Sequence, residues 1–228
     1  EETILAYEMG IKSDWLDNHL RVNASAFYYD RSDVQQSASN PSSGTARVAR
    51  LTNIGDVETT GAELDLIWLP TASLQFNVSL GYTDAEIVDS DFVSVSSVPF
   101  LESGSLEGLN VPNYSKFSGN FSGRYERALN DSMLASVQLE YSYRTKRDLT
   151  PILNPETEKA LFQEPAYGLV NLRIGLASTS DQWRISAFVE NLADEEYRVE
   201  AGSDGLLGLV ERYGEPRVWG INMSYSWD

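Results

Sequence analysis

A run of acidic side chains at residues 84–91 is the first candidate for chemistry in this sequence. Its members are Asp84, Glu86, Asp89 and Asp91. Ca²⁺ takes six to eight oxygen ligands, so such a run is a possible calcium loop. No glycine lies where a tight calcium loop needs one. We therefore interpret the run as a solvated acidic loop without a metal.

Catalytic constellations are scarce. Glu63 and Asp65 could form a carboxylate pair for glycoside hydrolysis, but two residues of spacing puts both on one strand face among other polar residues. His19, the one histidine, follows Asp17-Asn18 in a predicted turn, and there is no cysteine. A thiolate site is therefore excluded, and a serine triad has one possible base. We predict no enzyme, no cofactor and no metal site.

The charge balance excludes one class of partner. The 228 residues include 17 Lys and Arg against 34 Asp and Glu, a formal net charge of −17. Nucleic acid binding needs clustered basic side chains, so we expect no nucleic acid partner. No apolar run exceeds about four residues, whereas a transmembrane helix needs roughly 20.

The elements that must position these residues follow from a hydrophobic period of two, which is typical of β-strands. Nine segments show it: 3–12, 20–29, 58–68, 74–83, 116–125, 135–143, 166–176, 182–191 and 219–227. Most are about ten residues long, the length of a strand tilted across a bilayer rather than of an average soluble strand. We predict an all-β fold, an antiparallel meander of nine transmembrane strands.

The connections between these strands alternate between short and long. They run over 13–19, 32–57, 69–73, 88–112, 127–132, 147–165, 177–181 and 192–215. In a meander, alternate connections lie at the same end, so all long loops share one rim. Outer-membrane barrels have this asymmetry. Glycines 202, 205 and 208 predict a mobile loop before the last strand.

The two strand faces differ in chemistry. One face is aliphatic with aromatic rings at both ends, which predicts two interface girdles around a lipid-facing band. The girdle residues are Tyr28, Tyr82, Tyr143 and Trp219 on the long-loop side, and Trp68, Tyr125, Trp183 and Trp227 on the short-turn side. The other face is polar, and we predict that it lines a wet lumen. Its charged members are Arg21, Glu63, Asp65, Lys116, Arg124, Glu140, Arg173, Arg184 and Glu190.

Seven short motifs follow one another along the chain. They are residues 6–13 (AYEMGIKS), 17–23 (DNHLRVN), 26–30 (AFYYD), 53–55 with 60–64 (NIG and TGAEL), 81–85 (GYTDA), 191–197 (NLADEEY) and 214–220 (GEPRVWG). In sequence and order they resemble the C-terminal barrel region of TonB-dependent outer-membrane receptors.

The resemblance implies a 22-stranded barrel around an N-terminal plug domain, which moves a scarce ligand inward with energy from TonB. We expect residues 1–228 to supply the last nine strands, with the plug, the TonB-binding segment and the earlier strands outside this chain. Nine antiparallel strands leave two open edges, so the chain alone should transport nothing. The family also implies recognition by the barrel-assembly machinery through an outward aromatic in the last strand, here Trp227, which Asp228 follows.

The expected setting is the outer membrane of a Gram-negative cell, with lipid as partner. The family carries iron chelates such as iron–siderophore complexes, cobalamin and carbohydrates, and the acidic loops argue against an anionic ligand. Two other functions stay open: a passive porin-type barrel, and a soluble β-sandwich that binds carbohydrate. An extracellular enzyme is a third, for which the sequence offers no nucleophile with a base.

Overall fold

The computed structural model describes residues 1–40, 48–91, 93–94, 104–204 and 208–227. The strands are β1 (Thr3–Trp15), β2 (Leu20–Asn40), β3 (Val48–Thr71), β4 (Leu74–Asp89), β5 (Val93–Ser94), β6 (Gly104–Ser105), β7 (Phe117–Asn130), β8 (Met133–Arg144), β9 (Arg147–Asp148), β10 (Gln163–Glu164), β11 (Tyr167–Ser178), β12 (Trp183–Glu190), β13 (Arg198–Asp204), β14 (Gly208–Tyr213) and β15 (Val218–Tyr225). One helix, α1 (Pro155–Phe162), precedes β10.

In the described part of the chain, nine strands form a single sheet in the order β1-β2-β3-β4-β7-β8-β11-β12-β15. Each pairs antiparallel with its neighbour. The short strands form ribbons of two, β5 with β6, β9 with β10 and β13 with β14. All three ribbons belong to long connections, at what we call the long-loop end; the opposite end is the short-turn end. The prediction of an all-β antiparallel meander is confirmed.

In their described residues, all four long connections contain more structure than the sequence predicts, and two of them show the reason. The expected loop over 32–57 is wrong in its extent, because β2 and β3 continue through it as far as the pair Asn40 and Val48. The segment predicted as a mobile loop near Gly202 and Gly208 contains the β13–β14 ribbon, while Gly205 lies outside the described residues. The physical reason is common to both: the buried residues of these segments, such as Val34 and Ile54 in one and Ala201 in the other, are too few to produce the sustained alternation that predicts a strand.

The register puts the apolar and polar residues of the sheet on opposite faces. Paired residues of antiparallel strands point to the same side. The pairs Leu64–Leu80, Val137–Ile174 and Ala187–Ile221 thus share one face. The pairs Asp65–Ser79, Ser122–Glu140 and Gln138–Arg173 share the other.

The apolar face of the sheet is covered by nothing in the described chain. Ile174, in the central part of the sheet, is 55% exposed, and Ile221 is 65% exposed. A soluble sandwich would bury such residues against a second sheet. Among the described residues, no helix has the length and apolar character to span a bilayer.

The buried hydrophobic residues of the described chain all lie at the long-loop end. One cluster consists of Val34, Ile54, Val57, Ile87 and Leu106, the last of which comes from the connection that follows β4. A second consists of Leu149, Ile152, Phe162 and Ala201, and packs α1 against β13. The described residues of the long connections therefore fold onto the end of the sheet, and we call them the loop layer.

Candidate functional site

The polar face of the sheet brings together most of the charged residues predicted to line a lumen. Successive register pairs place eight of them on this face: Arg21, Glu63, Asp65, Arg124, Glu140, Arg173, Arg184 and Glu190. The alternation of β-strands explains the placement, since residues two apart share a face. Their role in a lumen stays a prediction.

Short polar contacts connect neighbours on this face. The Ser79 hydroxyl donates to Asp65 at 2.6 Å, and Asn77 donates to Ser122 at 2.9 Å. Farther along the sheet, Gln138 donates to Glu140 at 2.6 Å. The ion pairs here are mostly exposed, as in Arg124–Glu126 at 2.7 Å and Arg184–Asp181 at 3.0 Å. Such a surface is wetted by water and presents both donors and acceptors to a solute.

Lys116 departs from the other predicted lumen residues. It lies just before β7, and its ammonium is 2.8 Å from the Asp84 carboxylate. Asp84 occupies the strand face of Tyr82, whose hydroxyl donates to it at 3.4 Å. The hydrogen bond with Asp84 raises the pKa of Lys116. The position one residue outside the strand frees this side chain from the alternation that the sequence predicts.

The aromatic residues predicted as girdles lie on the apolar face. Tyr28, Tyr82, Tyr143 and Trp219 lie toward the long-loop end, and Trp68, Tyr125 and Trp183 toward the short-turn end. Trp227 follows β15, with its ring 5.2 Å from the ring of Tyr225 in an edge-on arrangement. Ring residues at both ends of an exposed apolar band are the arrangement expected at two membrane interfaces.

The residues considered for metal or acid–base chemistry do not assemble into a site. Among the described residues, no group of three or more His, Asp or Glu side chains could hold a metal ion. His19 closes the β1–β2 turn, with its backbone N–H donating to the Leu16 carbonyl at 3.0 Å. Leu16, Asp17 and Asn18 all have positive φ in this turn. His19 is therefore part of the turn.

The side chain of Asn191 accounts for the asparagine that begins the motif at 191–197. Its side chain donates to the Glu195 carbonyl at 2.8 Å and the Glu215 carbonyl at 3.2 Å, and accepts from the Glu195 N–H at 2.8 Å. Asp194 accepts from the backbone N–H of Arg217 at 3.0 Å. The motif at 191–197 and the motif at 214–220 thus hold the two ends of the last long connection together.

Among the described residues of the long-loop end, Arg198 is the most highly connected charged residue, and no sequence motif points to it. Its guanidinium contacts Glu164 at 2.9 Å and Glu211 at 2.7 Å. It also donates to the Leu161 and Gln163 carbonyls, both at 2.7 Å. These contacts join the connection between β8 and β11 to the connection between β12 and β15.

The ionisation of this cluster follows from its contacts. Burial lowers the pKa of Arg198, but hydrogen bonds with Glu211 and Glu164 outweigh that effect and raise the pKa above its ordinary value. The Arg198 guanidinium, together with the Tyr213 hydroxyl, holds the pKa of Glu211 below its usual range. Arg198 and Glu211 are therefore both charged at neutral pH. Their ion pair lies within the connection between β12 and β15, whereas the buried carboxylate that reaches Arg198 from the other connection is Glu164.

A cavity beside this cluster contains residues that the sequence reasoning also missed. It has a volume of about 270 Å³ and is lined by Tyr114, Lys146, Arg147 and Lys159, among others. A signal was present: Lys146-Arg147 is a basic pair, and three of the four lysines of this acidic chain fall within 116–159. This signal does not predict a site, because no local sequence pattern shows that these residues come together in the fold.

An exposed apolar face with aromatic ends, opposite a polar face, defines the wall of a transmembrane β-barrel. Comparison with known proteins identifies the kind of barrel. A family model described as "TonB dependent receptor-like, beta-barrel" matches residues 1–192. The chain belongs to this family, and the resemblance read from its motifs is confirmed.

Solved structures share the fold. The ferric yersiniabactin uptake receptor FyuA from Yersinia pestis matches with a TM-score of 0.73 at 18% identity, over 97% of this chain and 29% of that one. The copper transporter OprC matches with a TM-score of 0.69 at 17% identity, over 99% and 31%. The ferripyoverdine receptor of the Pseudomonas aeruginosa outer membrane matches with 0.67 at 17%, over 98% and 27%. The chain thus spans about three tenths of each of these structures.

Proposed function

We propose that this chain is the C-terminal nine-stranded part of a 22-stranded outer-membrane receptor that takes up a scarce ligand, such as an iron–siderophore complex, with energy from TonB. The observation that carries the proposal is the family match over residues 1–192. The fit of the nine-stranded sheet to receptor barrels over 97% of the chain supports it.

In this proposal, each face of the sheet and the long-loop end has its own role in uptake. The apolar face contacts outer-membrane lipid, since exposed aliphatic residues between aromatic rings have no other partner in the described chain. The polar face contributes donors and acceptors to the translocation path. The loop layer contributes to ligand capture from outside. Plug movement, driven by TonB, gates passage, and the barrel-assembly machinery inserts the strands.

The matched proteins narrow the ligand class for this proposal. FyuA is described as taking up ferric yersiniabactin, the Pseudomonas receptor as binding ferripyoverdine, and OprC as transporting copper. Two of the three ligands are metal chelates, and all three contain a metal ion. A passive porin lacks support from the family match. A soluble carbohydrate-binding sandwich requires a second large sheet, and the described residues form only two-stranded ribbons beside the nine-stranded sheet.

Uptake by whole cells tests the proposal. The full-length receptor that contains this chain is expressed in a Gram-negative host that lacks its own iron-chelate receptors. Uptake of radiolabelled ferric chelates is measured with and without TonB. We expect saturable uptake that needs both the receptor and TonB. Equal uptake in cells without TonB would establish a passive pore instead and overturn the proposal.

A further inference from the structure

The cavity at the long-loop end concentrates positive charge in a strongly acidic protein. Its lining includes the cations Lys116, Lys146, Arg147 and Lys159 and the carboxylates Asp84 and Asp148, a local balance of 4 − 2 = +2. The whole chain has a net charge of −17. The sign of this cavity is therefore opposite to that of the protein around it.

The two carboxylates leave three of these cations without an ionic partner. Asp84 pairs with Lys116. Asp148 accepts a hydrogen bond from the Gln163 side chain at 2.7 Å. Among the described residues, no carboxylate lies within 4 Å of the Lys146, Arg147 or Lys159 side-chain nitrogens.

Arg147 is the critical member, because it is 8% exposed. Its Nη2 donates to the Arg198 carbonyl at 3.2 Å. Its buried Nε has no hydrogen-bond partner within the described structure. A guanidinium this deeply buried normally has a counter-anion and satisfied N–H groups, since removal of a charge from water is costly. Arg147 thus lines the cavity with one donor unused and, among the described residues, without an ion pair within 4 Å.

The surrounding structure holds Arg147 in place. The backbone of Arg147 is paired in register with that of Glu164 in the β9–β10 ribbon. Glu164 in turn accepts from Arg198 at 2.9 Å. Lys159 lies in the last turn of α1, whose first turn is capped by Asn154. The cationic groups therefore project from backbone that is fixed by pairing and capping, which lowers the entropic cost of ligand binding.

The cavity adjoins the polar face of the sheet. It shares Thr83 and Tyr114 with a second cavity, which is lined by Phe27, Tyr29 and Glu63. These last three residues lie on the polar face by register. On its other side, Asp84 and Lys116 bring the cavity to the strand face of Tyr82, so the experiments below separate a soluble ligand from a lipid headgroup.

We propose that this cavity binds an oxyanion group of a small soluble ligand: a carboxylate, phosphate or sulfate. Arg147 donates to the oxyanion from a fixed position, since guanidinium forms strong charge-assisted hydrogen bonds with such groups. Lys146 and Lys159 add exposed positive charge at the opening. Tyr114, Thr145 and Gln163 supply further polar contacts. The inference rests on the proposed function in one respect: it names an anionic part of the ligand that the receptor captures.

Binding to the purified full-length receptor tests the site directly. Isothermal titration calorimetry in detergent, at fixed ionic strength, uses citrate and inorganic phosphate as probes. We expect saturable binding of at least one probe and at least tenfold weaker binding in Arg147→Gln. The matched control is Arg212→Gln, which removes an exposed guanidinium from the same end of the molecule. Its pair with Glu200 is 70% and 68% exposed, and binding should stay within twofold of wild type.

Two further variants keep the test decisive if Arg147→Gln fails to fold. Lys159→Gln changes an exposed side chain and should weaken binding about threefold. Arg147→Lys retains the charge but removes the planar set of donors, so we expect binding between wild type and Arg147→Gln. Absence of binding to both probes would overturn the proposal. So would equal loss in Arg147→Gln and Arg212→Gln, which would indicate general electrostatics.

The source of the anion and the proposed function are tested separately. In vesicles with and without phosphorylated lipid A, Arg147→Gln should not change lipid retention. A loss of lipid with intact citrate and phosphate binding would identify a lipid site and overturn our assignment. TonB-dependent uptake with no oxyanion binding in vitro contradicts this inference alone. Oxyanion binding without TonB-dependent uptake contradicts the proposed function alone.

Discussion

The middle of the nine-stranded sheet and the cluster at its long-loop end use charged residues in different ways. In the sheet, the Arg124–Glu126 pair has side chains that are 48% and 42% exposed. At the long-loop end, the Arg198–Glu164 pair has side chains that are 13% and 6% exposed. Water screens the first pair and scarcely reaches the second. The sheet is thus specified by its backbone pairing and its two faces, whereas the loop layer depends on a few buried polar groups.

The comparison predicts which changes the molecule tolerates. On the polar face, the side-chain contacts are short-range and exposed, so loss of a single charged side chain should be nearly silent. In the loop layer, one guanidinium joins two connections, so a single change should release both. The apolar face differs from both, because the tolerance of its residues to substitution depends on the lipid that we propose as its partner.

The largest effect is expected for Arg198→Ala. It leaves the Glu164 carboxylate buried without its partner, and loss of one member of a buried pair costs about 3–5 kcal/mol. Hydrogen–deuterium exchange of the purified receptor should show faster exchange in both α1 and β14. Arg212→Ala, in the exposed pair with Glu200, is the control and should cost about 0–1 kcal/mol. Similar exchange in the two variants would contradict the difference between buried and exposed pairs.

A somewhat smaller effect is expected for a charge on the apolar face. Leu139→Arg places a guanidinium between Gly123 and Leu172 in register, in the band assigned to lipid. Such a charge costs about 2–4 kcal/mol at the bilayer midplane. The folded, heat-modifiable fraction in outer membranes measures the effect. Ser142→Arg, on the polar face of the same strand between the uncharged Asn120 and Leu169, should assemble normally. A defect of the same size in Ser142→Arg would refute the assignment of the faces.

Gly61→Ala tests close packing within the sheet. A Cβ at Gly61 would lie 2.2 Å from the Phe27 ring and 2.6 Å from the Tyr82 carbonyl oxygen. Overpacking of this kind costs about 1–3 kcal/mol. We expect a lower midpoint in thermal loss of the folded band. Gly202→Ala is the matched control, since nothing lies within 4 Å of its added Cβ. An unchanged midpoint in Gly61→Ala would show that the Phe27 ring moves aside.

The smallest effect is a pH dependence of the loop layer. The pKa of Glu211 is lowered by Arg198, so its stabilising contribution is complete above the unfolded value, roughly 4.3, and is lost as the pH falls through the lower folded value. Exchange in β14, corrected for intrinsic rates, should accelerate in that acidic range. Glu211→Gln should abolish this step. A step that persists in the variant would assign the titration to another group.

The sequence by itself determined the sheet. A period of two fixes which residues share a face, and the lengths and order of the connections fix an antiparallel meander, because both depend on residues close together along the chain. The face of each predicted girdle residue within a strand follows from the same alternation. So does the face of eight of the nine charged residues that the sequence predicts for the polar face. Lys116 escapes it, since it lies outside the strand.

The tertiary structure alone decided the loop layer. Arg198 lies 34 residues from Glu164 along the chain, and Arg147 lies 51 residues from the carbonyl that it contacts. No periodicity connects such positions, and their value depends on burial, which local sequence does not encode. The acidic loops of the sequence argue against an anionic ligand, yet folding gathers Lys146, Arg147 and Lys159 into one cavity. Charge acts over a few ångströms in three dimensions, and only the fold determines which charges are neighbours.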